Sequence, residues 1–463
     1  MVKVKKMLGL GRGDVNMTEG GILRHLICFS LPLLIGNFFQ QLYNMVDTWV
    51  VGRFVSDAAY AAVGTLGSAT NLIIGTFVGL SSGISVLISQ FYGAGREDRV
   101  NDTVHTAAAL TLILGAIMTV VGLLLIPVLL NIYKMPDSVR PEAVTYLAIW
   151  FGGVIGLMIY NIGSAILRAV GDSTKPFYFL IVSTVVNILL DLLFVLVFNM
   201  GVAGVAIATV ISQAVSAVLV LVVLFKGNNC VRLSVKKIKI DRPILLRSVK
   251  IGLPAAIQLS ITSFSNIFVQ GYINQFGEAC MGGWTAYSKM DQLVVLPVQS
   301  VAMASTTFVG QNVGKNQIKR ANRGVGAAVV IGLVITTVII IPIVIFAPFC
   351  VRIFNTNPTV IEYGTLFIRY LTPFFILCVF NQILAGALRG SGNTVVPMII
   401  MIVSFVAFRQ TYLYIVSNYI ANKVLILAMA YPAGWILATV LTVCYYFCVG
   451  LKKTEKKNHI ESL

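Results

Sequence analysis

Two carboxylates, Asp47 and Asp191, stand inside long apolar stretches of this 463-residue chain. A charge in hydrocarbon is costly unless it meets a partner or a wet cavity, so each is a candidate for function. Asp47 falls shortly before a polar turn at Gly52-Arg53, and Asp191 shortly before another at Asn199–Gly201. The stretch that follows the second turn places Thr209 at a similar depth, and Asn187 lies one helical turn from Asp191 on the same face. Two carboxylates in one poorly hydrated pocket raise the cost of the second negative charge, so one of them holds a proton or attracts a small cation. Asn187 and Thr209 add neutral oxygens, which suit a hard monovalent ion. Asp47, Asn187, Asp191 and Thr209 are therefore expected to form a cation-coupling site for H⁺ or Na⁺, with no other metal. The plainer reading is that the four only make interhelical hydrogen bonds.

Further polar residues interrupt the apolar stretches. Gln40, Tyr43 and Asn44 form a stripe leading to Asp47; Gln258, Ser263, Asn266 and Gln270 share a later stretch; Tyr287, Lys289 and Asp291 share the next. These residues, Lys289 excepted, together with Arg409 are expected to line a substrate cavity. Lys289 and Asp291 are two apart and do not face each other on a helix. Arg409 is either a fixed counter-charge or a side chain that snorkels outward. Phe38, Phe39, Phe151, Tyr160, Trp284 and Tyr287 would suit a flat apolar guest, although each alone is as readily ordinary packing. No G-x-x-x-x-G-K-[ST] phosphate loop occurs, nor any catalytic cluster. The chain is read as a non-enzyme without a cofactor, driven by an ion gradient or by a partner protein.

The elements that must hold these residues follow from composition. The chain is 57% hydrophobic and 11% charged, with a mean hydropathy of +0.89. A soluble surface needs about 25% charged residues, so too few are present to coat a water-soluble fold. The apolar residues come in twelve blocks, near 26–50, 60–88, 103–127, 142–162, 177–198, 201–225, 249–273, 280–308, 325–349, 362–386, 394–417 and 428–450. Each is long enough to cross a bilayer, and lipid admits helices of this length but no open sheet edges. The seven Cys residues show no paired spacing and read as small hydrophobes. Most of the 34 Lys and Arg fall in alternate connecting segments, the richest being 226–250. The positive-inside rule then predicts a multi-pass membrane protein with cytosolic termini. The net charge of +17 is topology and attraction to lipid headgroups, not nucleic-acid binding.

The basic segment at mid-chain joins two copies of one unit. Leu31-Pro32 matches Leu253-Pro254, and Gln90-Phe-Tyr-Gly-Ala-Gly-Arg matches Gln311-Asn-Val-Gly-Lys-Asn-Gln. Leu167-Arg168, Gly171 and Pro176 recur as Leu388-Arg389, Gly392 and Pro397. Six spans per copy make the repeat parallel, the plan of a bundle whose halves rock around a central cleft. The expected organisation is an arm at 1–25, a first lobe at 26–225, a linker at 226–248, a second lobe at 249–450 and a tail at 451–463. The fold class is thus all-α integral membrane, with twelve transmembrane helices in two parallel six-helix repeats around a central cleft.

The order and duplication of these motifs resemble the multidrug and toxic compound extrusion (MATE) family over about residues 20–450, closest to its prokaryotic DinF/MepA-like branch. The resemblance rests on Gln41 through Asp47 with Gly52, Gln90 through Gly95, Leu167 through Pro176, Asn187 through Asp191, Gly201 through Thr209 and Gly310-Gln-Asn. It implies antiport, with cationic or amphipathic organic compounds leaving as protons or sodium enter. It also implies a cation site at Asp47, Asn187, Asp191 and Thr209. Partners would be such small molecules and membrane lipids, with the chain acting as a monomer. The chain departs from the sodium-coupled NorM-like branch, because its seventh and tenth spans hold no interior Asp or Glu. A lipid-linked oligosaccharide flippase is the nearest alternative, with a gated channel or a membrane-embedded enzyme behind it.

Overall fold

The computed structural model describes residues 16–133, 135–227, 230–420 and 422–451, without the side chains of 57, 58, 61, 68, 69, 71 and 72. The expected arm and tail therefore lie mostly outside the described residues. Among the described residues twelve helices are long and apolar enough to cross a membrane, as the apolar blocks predict. They are α1 (Ile22–Phe54), α2 (Asp57–Gly93), α3 (Glu97–Ile132), α4 (Arg140–Ala169), α5 (Thr174–Val197) and α6 (Gly201–Lys226). The second six are α7 (Arg242–Asn274), α8 (Glu278–Gly314), α9 (Ile318–Ile345), α10 (Pro358–Gly390), α11 (Val395–Ile420) and α12 (Val424–Cys448). Most outrun their apolar blocks. α7 begins at Arg242, so the end of the expected linker is already helical.

Apolarity and burial run in opposite directions along the chain. In α3 the mean hydropathy of the central window is 2.8, yet only 17% of it is buried. In α8 the window reads 1.6 and is 72% buried. Lipid replaces water as the outer solvent, so the most apolar helices are peripheral and the central ones carry the polar residues.

The duplication extends to the turns. Gly171 and Gly392, which open α5 and α11, have φ of 93° and 90°. Gly95, between α2 and α3, has φ 72°, and its counterpart between α8 and α9 is Asn316 at φ 59°. Both positions demand left-handed backbone, which Gly adopts freely and Asn more readily than other side chains. At the start of α5, Asp172 accepts from the N–H groups of Thr174 and Lys175, both at 3.1 Å, and pairs with Lys175 Nζ at 2.7 Å.

The described residues form two compact units. One is Pro32–Gly252; the other is Asn16–Leu31 together with the chain from Leu253 onward. The boundaries fall at the repeated Leu-Pro pairs, so α1 and α7 each begin in one unit and continue in the other. Within the first unit α2 and α7 touch backbone to backbone. A Cβ on Gly83 would stand 2.3 Å from the Ser248 carbonyl oxygen and 2.8 Å from Gly252 Cα.

Each unit also holds down the segment that leads into a crossing helix. In the second, Gln311 Oε1 accepts from the Met17 N–H at 2.8 Å, and Arg320 Nη2 donates to the carbonyls of Met17, Glu19 and Gly20 at 3.2, 3.0 and 2.9 Å. Lys315 Nζ donates to Thr18 Oγ1 at 3.1 Å and Glu19 Oε1 at 2.8 Å. In the first, the Ser234 N–H meets His105 Nε2 at 3.0 Å and the Asp241 N–H meets Thr106 Oγ1 at 3.1 Å. Arg247 Nη2 reaches Gln90 Oε1, the counterpart of Gln311, at 3.4 Å.

Candidate functional site

In the first unit, α1, α5 and α6 bring Asp47, Asn187, Asp191 and Thr209 together. Asp191 is fully buried, Asn187 and Thr209 are buried, and Asp47 is partly buried. Thr209 Oγ1 lies 3.3 Å from Asp47 Oδ2, and the side chains of Asp191 and Asn187 adjoin the same carboxyl. Tyr43 and Tyr146 stand within electrostatic reach of Asp47. The neighbours of this carboxylate pair are thus neutral or acidic.

Hydrogen bonding inside the cluster is incomplete. Asp47 Oδ1, both oxygens of Asp191 and both amide atoms of Asn187 are buried without a partner of good geometry. Buried polar groups are nearly always satisfied, and unmet ones call for an explanation such as an ion. Several of these atoms are oxygens of the kind that hard cations prefer, so the donor set fits Na⁺ as well as a shared proton. α5 carries its own irregularity here. Just past Asp191 it widens into π-helix over Leu193–Val197, where the Phe198 N–H bonds the Leu193 carbonyl at 3.1 Å. π-Segments are rare and concentrate at functional sites. Nothing in the sequence signalled this one, because a shift in backbone register leaves no compositional mark.

The candidate cavity residues fare differently from one another. Gln40 and Tyr43 are partly buried and adjoin each other, and Asn44 is exposed. Gln258 is buried, with its Oε1 accepting from Arg389 Nη1 at 3.1 Å. Ser263 is exposed, while Gln270 Nε2 bonds Asn274 Oδ1 one turn on at 2.7 Å.

The other four, Asn266, Tyr287, Asp291 and Arg409, lie inside the second unit. Arg409 is 1% exposed and does not snorkel. Its Nη1 donates to Ser265 Oγ at 3.3 Å and Asn266 Oδ1 at 3.1 Å. Tyr287 is buried with its hydroxyl unpartnered, and Asp291, one turn along α8, has Oδ1 buried and unpartnered. Lys289 points elsewhere and is exposed. All seven cysteines are free.

Comparison with known proteins agrees with this architecture. The profile of the MatE family matches residues 32–193 and 254–415, one copy in each half of the chain. The probable multidrug resistance protein YoeA of Bacillus subtilis is 30% identical over 94% of this chain and 96% of its own length. The probable multidrug resistance protein YpnP of the same organism is 26% identical over 88% of this chain and 91% of its own. Among solved structures, a MOP superfamily transporter from Pyrococcus furiosus superposes with a TM-score of 0.90 at 23% identity, covering 96% of this chain and 99% of that one, which shows the shared fold. With its profile matched twice and relatives aligned almost end to end, the chain belongs to the MatE family of membrane transporters.

Proposed function

We propose that the protein is a secondary active antiporter that exports cationic or amphipathic organic compounds in exchange for inward H⁺ or Na⁺. Asp47, Asn187, Asp191 and Thr209 hold the coupling cation. The observation that carries this reading is the pair Asp47 and Asp191, adjoining each other with unmet oxygens and, among the described residues, with no basic neighbour in its immediate shell. Such a pair is stable when a proton or a small cation supplies the missing positive charge. Relatives named as multidrug resistance proteins support the cargo class. The distribution of Lys and Arg supports cytosolic termini in a plasma membrane.

The residues of this chain then work in sequence. In the outward-accessible state Asp47 and Asp191 take the cation. Thr209 returns its hydroxyl hydrogen to the Val205 carbonyl and offers its oxygen to the cation, and α1 repacks against α5 and α6. That repacking alters the Gln40, Tyr43 and Asn44 face of α1 and releases the guest. In the inward-accessible state the cation leaves, and the Gln40, Tyr43 and Asn44 face of α1 accepts the guest. Coupling requires each ligand to favour a different state, since equal affinity for both states shifts nothing.

The test is transport by the full chain in proteoliposomes, with H⁺ and Na⁺ gradients imposed independently. Wild-type protein drives efflux with one or both gradients, and Asp47→Asn abolishes it. Full gradient-driven efflux by Asp47→Asn would overturn the reading. A flippase for pyrophosphate-linked lipids is disfavoured because Arg409 is spent on side chains of its own unit and offers no basic cavity surface.

A further inference from the structure

The segments that lead into α1 and α7 are held in opposite ways. At residues 16–20 the second unit supplies the charges, since Lys315 and Arg320 turn inward onto Thr18, Glu19 and backbone carbonyls. At residues 232–241 the first unit supplies neutral groups, all from the early turns of α3. Asn101 Nδ2 donates to the Arg232 carbonyl at 3.0 Å, His105 Nε2 accepts from the Ser234 N–H at 3.0 Å, and Thr106 Oγ1 accepts from the Asp241 N–H at 3.1 Å. His105 Nδ1 meets the Asn101 carbonyl at 2.7 Å, so the ring proton belongs there and Nε2 is left as an acceptor. Val231, Leu233 and Ile244 are buried beneath the segment.

With its backbone fastened on one side, the segment leaves its charges outward. Arg232, Lys236, Lys237, Lys239 and Arg242 are all exposed. Among the described residues the side chains of Arg232, Lys236, Lys237 and Arg242 make no hydrogen bond or ion pair. Lys239, 65% exposed, reaches Asp102 at 3.5 Å. The one carboxylate of the segment, Asp241, pairs with Arg99 at 3.8 Å and accepts from the Ile244 N–H at 3.1 Å, so it does not neutralise these cations. Apolar side chains stand out among them: Val235 is 68% exposed and Ile240 45%.

The position of the segment names its neighbour. α6 ends at Lys226 and α7 begins at Arg242, and both are spans, so the residues between them lie at a membrane–water interface. There basic side chains meet headgroup phosphates, and exposed apolar side chains meet the acyl boundary. A soluble polyanion would use the cations but would gain nothing from Val235 and Ile240. We propose that residues 232–242 form a docking surface for anionic phospholipid, with Arg232, Lys236 and Lys237 on the headgroup phosphate and Val235 and Ile240 against the acyl chains. The clamp on α3 orders the backbone before lipid arrives, so little conformational entropy opposes binding. Bound lipid then ties the entry to α7 to the bilayer surface. This surface is independent of the antiport reading and of any cargo.

The experiment follows the melting temperature of purified full-length protein in dodecyl maltoside as dioleoylphosphatidylglycerol or dioleoylphosphatidylcholine is added to the micelles. A ligand of the folded state raises the melting temperature as its concentration rises. Phosphatidylglycerol raises it, by less as NaCl screens the charges, and phosphatidylcholine at the same level does not. Arg232→Gln/Lys236→Gln/Lys237→Gln increases the half-maximal phosphatidylglycerol concentration roughly a hundredfold, the effect of three charges at a membrane surface. Its melting temperature without added lipid stays at the wild-type value, because these side chains hold nothing within the protein. Val235→Ser/Ile240→Ser keeps every charge and increases the half-maximal concentration severalfold. Arg352→Gln/Arg369→Gln/Lys423→Gln removes three exposed cations elsewhere and leaves it unchanged. An equal loss in this control, or an unchanged half-maximal concentration in Arg232→Gln/Lys236→Gln/Lys237→Gln, would overturn the proposal. Stabilisation by glycerol 3-phosphate or polyglutamate that matches phosphatidylglycerol would assign the surface to a soluble anion and overturn it equally.

Discussion

The Thr209 hydroxyl stands between two acceptors, the Val205 carbonyl of its own helix at 3.0 Å and Asp47 Oδ2 of α1 at 3.3 Å. It has one hydrogen to give. An empty, ionised Asp47 draws that hydrogen across the helix interface, and a cation on Asp47 frees it to return to Val205. Thr209 thus senses the occupancy of the site. A hydrogen bond to a charged group contributes about 1.5–3 kcal/mol, but the hydroxyl oxygen is also a cation ligand. Thr209→Val is therefore expected to raise the cation concentration for half-maximal efflux roughly tenfold or more, at 1.4 kcal/mol per decade, with Thr209→Ser close to wild type. An unchanged half-maximal concentration in Thr209→Val removes this residue from the site.

Gly434 is expected to matter through Arg409. An added methyl group would meet Arg409 Nε at 2.9 Å and Phe405 Cδ1 at 3.0 Å. The cation–π sandwich of Arg409, whose Cζ stands 4.2 Å from the Phe405 ring centroid and 4.6 Å from that of Tyr431, must then open. Overpacking of this kind costs about 1–3 kcal/mol. Gly434→Ala should lower the melting temperature, and its effect should not add to that of Arg409→Gln, since the two substitutions act on one contact. Simple additivity in a double-mutant cycle would show that Gly434 serves some other purpose.

The twelve spans were legible because lipid demands continuous apolar helices, a pattern that no other selection produces. Asp47 and Asp191 stood out for the complementary reason that hydrocarbon excludes charge, so two carboxylates within apolar blocks announce themselves. The resting place of Arg409 was less accessible. Its long side chain permits both burial and snorkelling, and the choice depends on space that Gly434 leaves in the next helix, α12, where no local signal at Arg409 records it. The π-segments beside Asp191 and, over Ile402–Phe408, before Arg409 left no trace, because they change hydrogen-bond partners without changing residue types. The docking of residues 16–20 was also hidden. Its partners Gln311, Lys315 and Arg320 lie near the middle of the second half of the chain, and only folding brings them together.

Gly83 allows a close backbone-to-backbone contact between helices in the first unit. Its Cα faces Gly252 of α7, where a Cβ on Gly252 would itself lie 3.0 Å from Leu80 Cα and 3.0 Å from the Leu80 carbonyl oxygen. Backbone cannot yield as a flexible side chain can, so Gly83→Val has no local accommodation. The expected loss is on the order of 3 kcal/mol or more, at the upper end for overpacked sites. Detergent-solubilised Gly83→Val should be aggregated or strongly destabilised by size-exclusion chromatography and thermal melting. A monodisperse variant with wild-type melting would mean that α2 and α7 can part at this point without harm.

The strap at residues 16–20 gives a pH-dependent prediction. The Lys315 ammonium, hydrogen-bonded to Glu19 Oε1 at 2.8 Å, holds that carboxyl below the usual glutamate range. A group whose folded value is depressed adds stability above its unfolded pKa and loses it as pH falls through the folded one. Docking of the strap should therefore be tightest near neutrality and weaken in acid, below the ordinary carboxylate range. Glu19 is fully solvent-exposed, so this pH effect is small beside the three carbonyls that Arg320 Nη2 holds. Arg320→Ala removes those bonds at every pH, at about 1 kcal/mol for a typical net hydrogen bond and more where the donor is charged. Hydrogen exchange followed by mass spectrometry reads both effects. Amide protection at Met17 and Thr18 should fall modestly in acid for wild type and largely vanish in Arg320→Ala, while Glu19→Gln should remove the acid dependence and keep most of the protection. Protection at Met17 that survives Arg320→Ala would show that Gln311, through its 2.8 Å bond to the Met17 N–H, suffices to hold the strap.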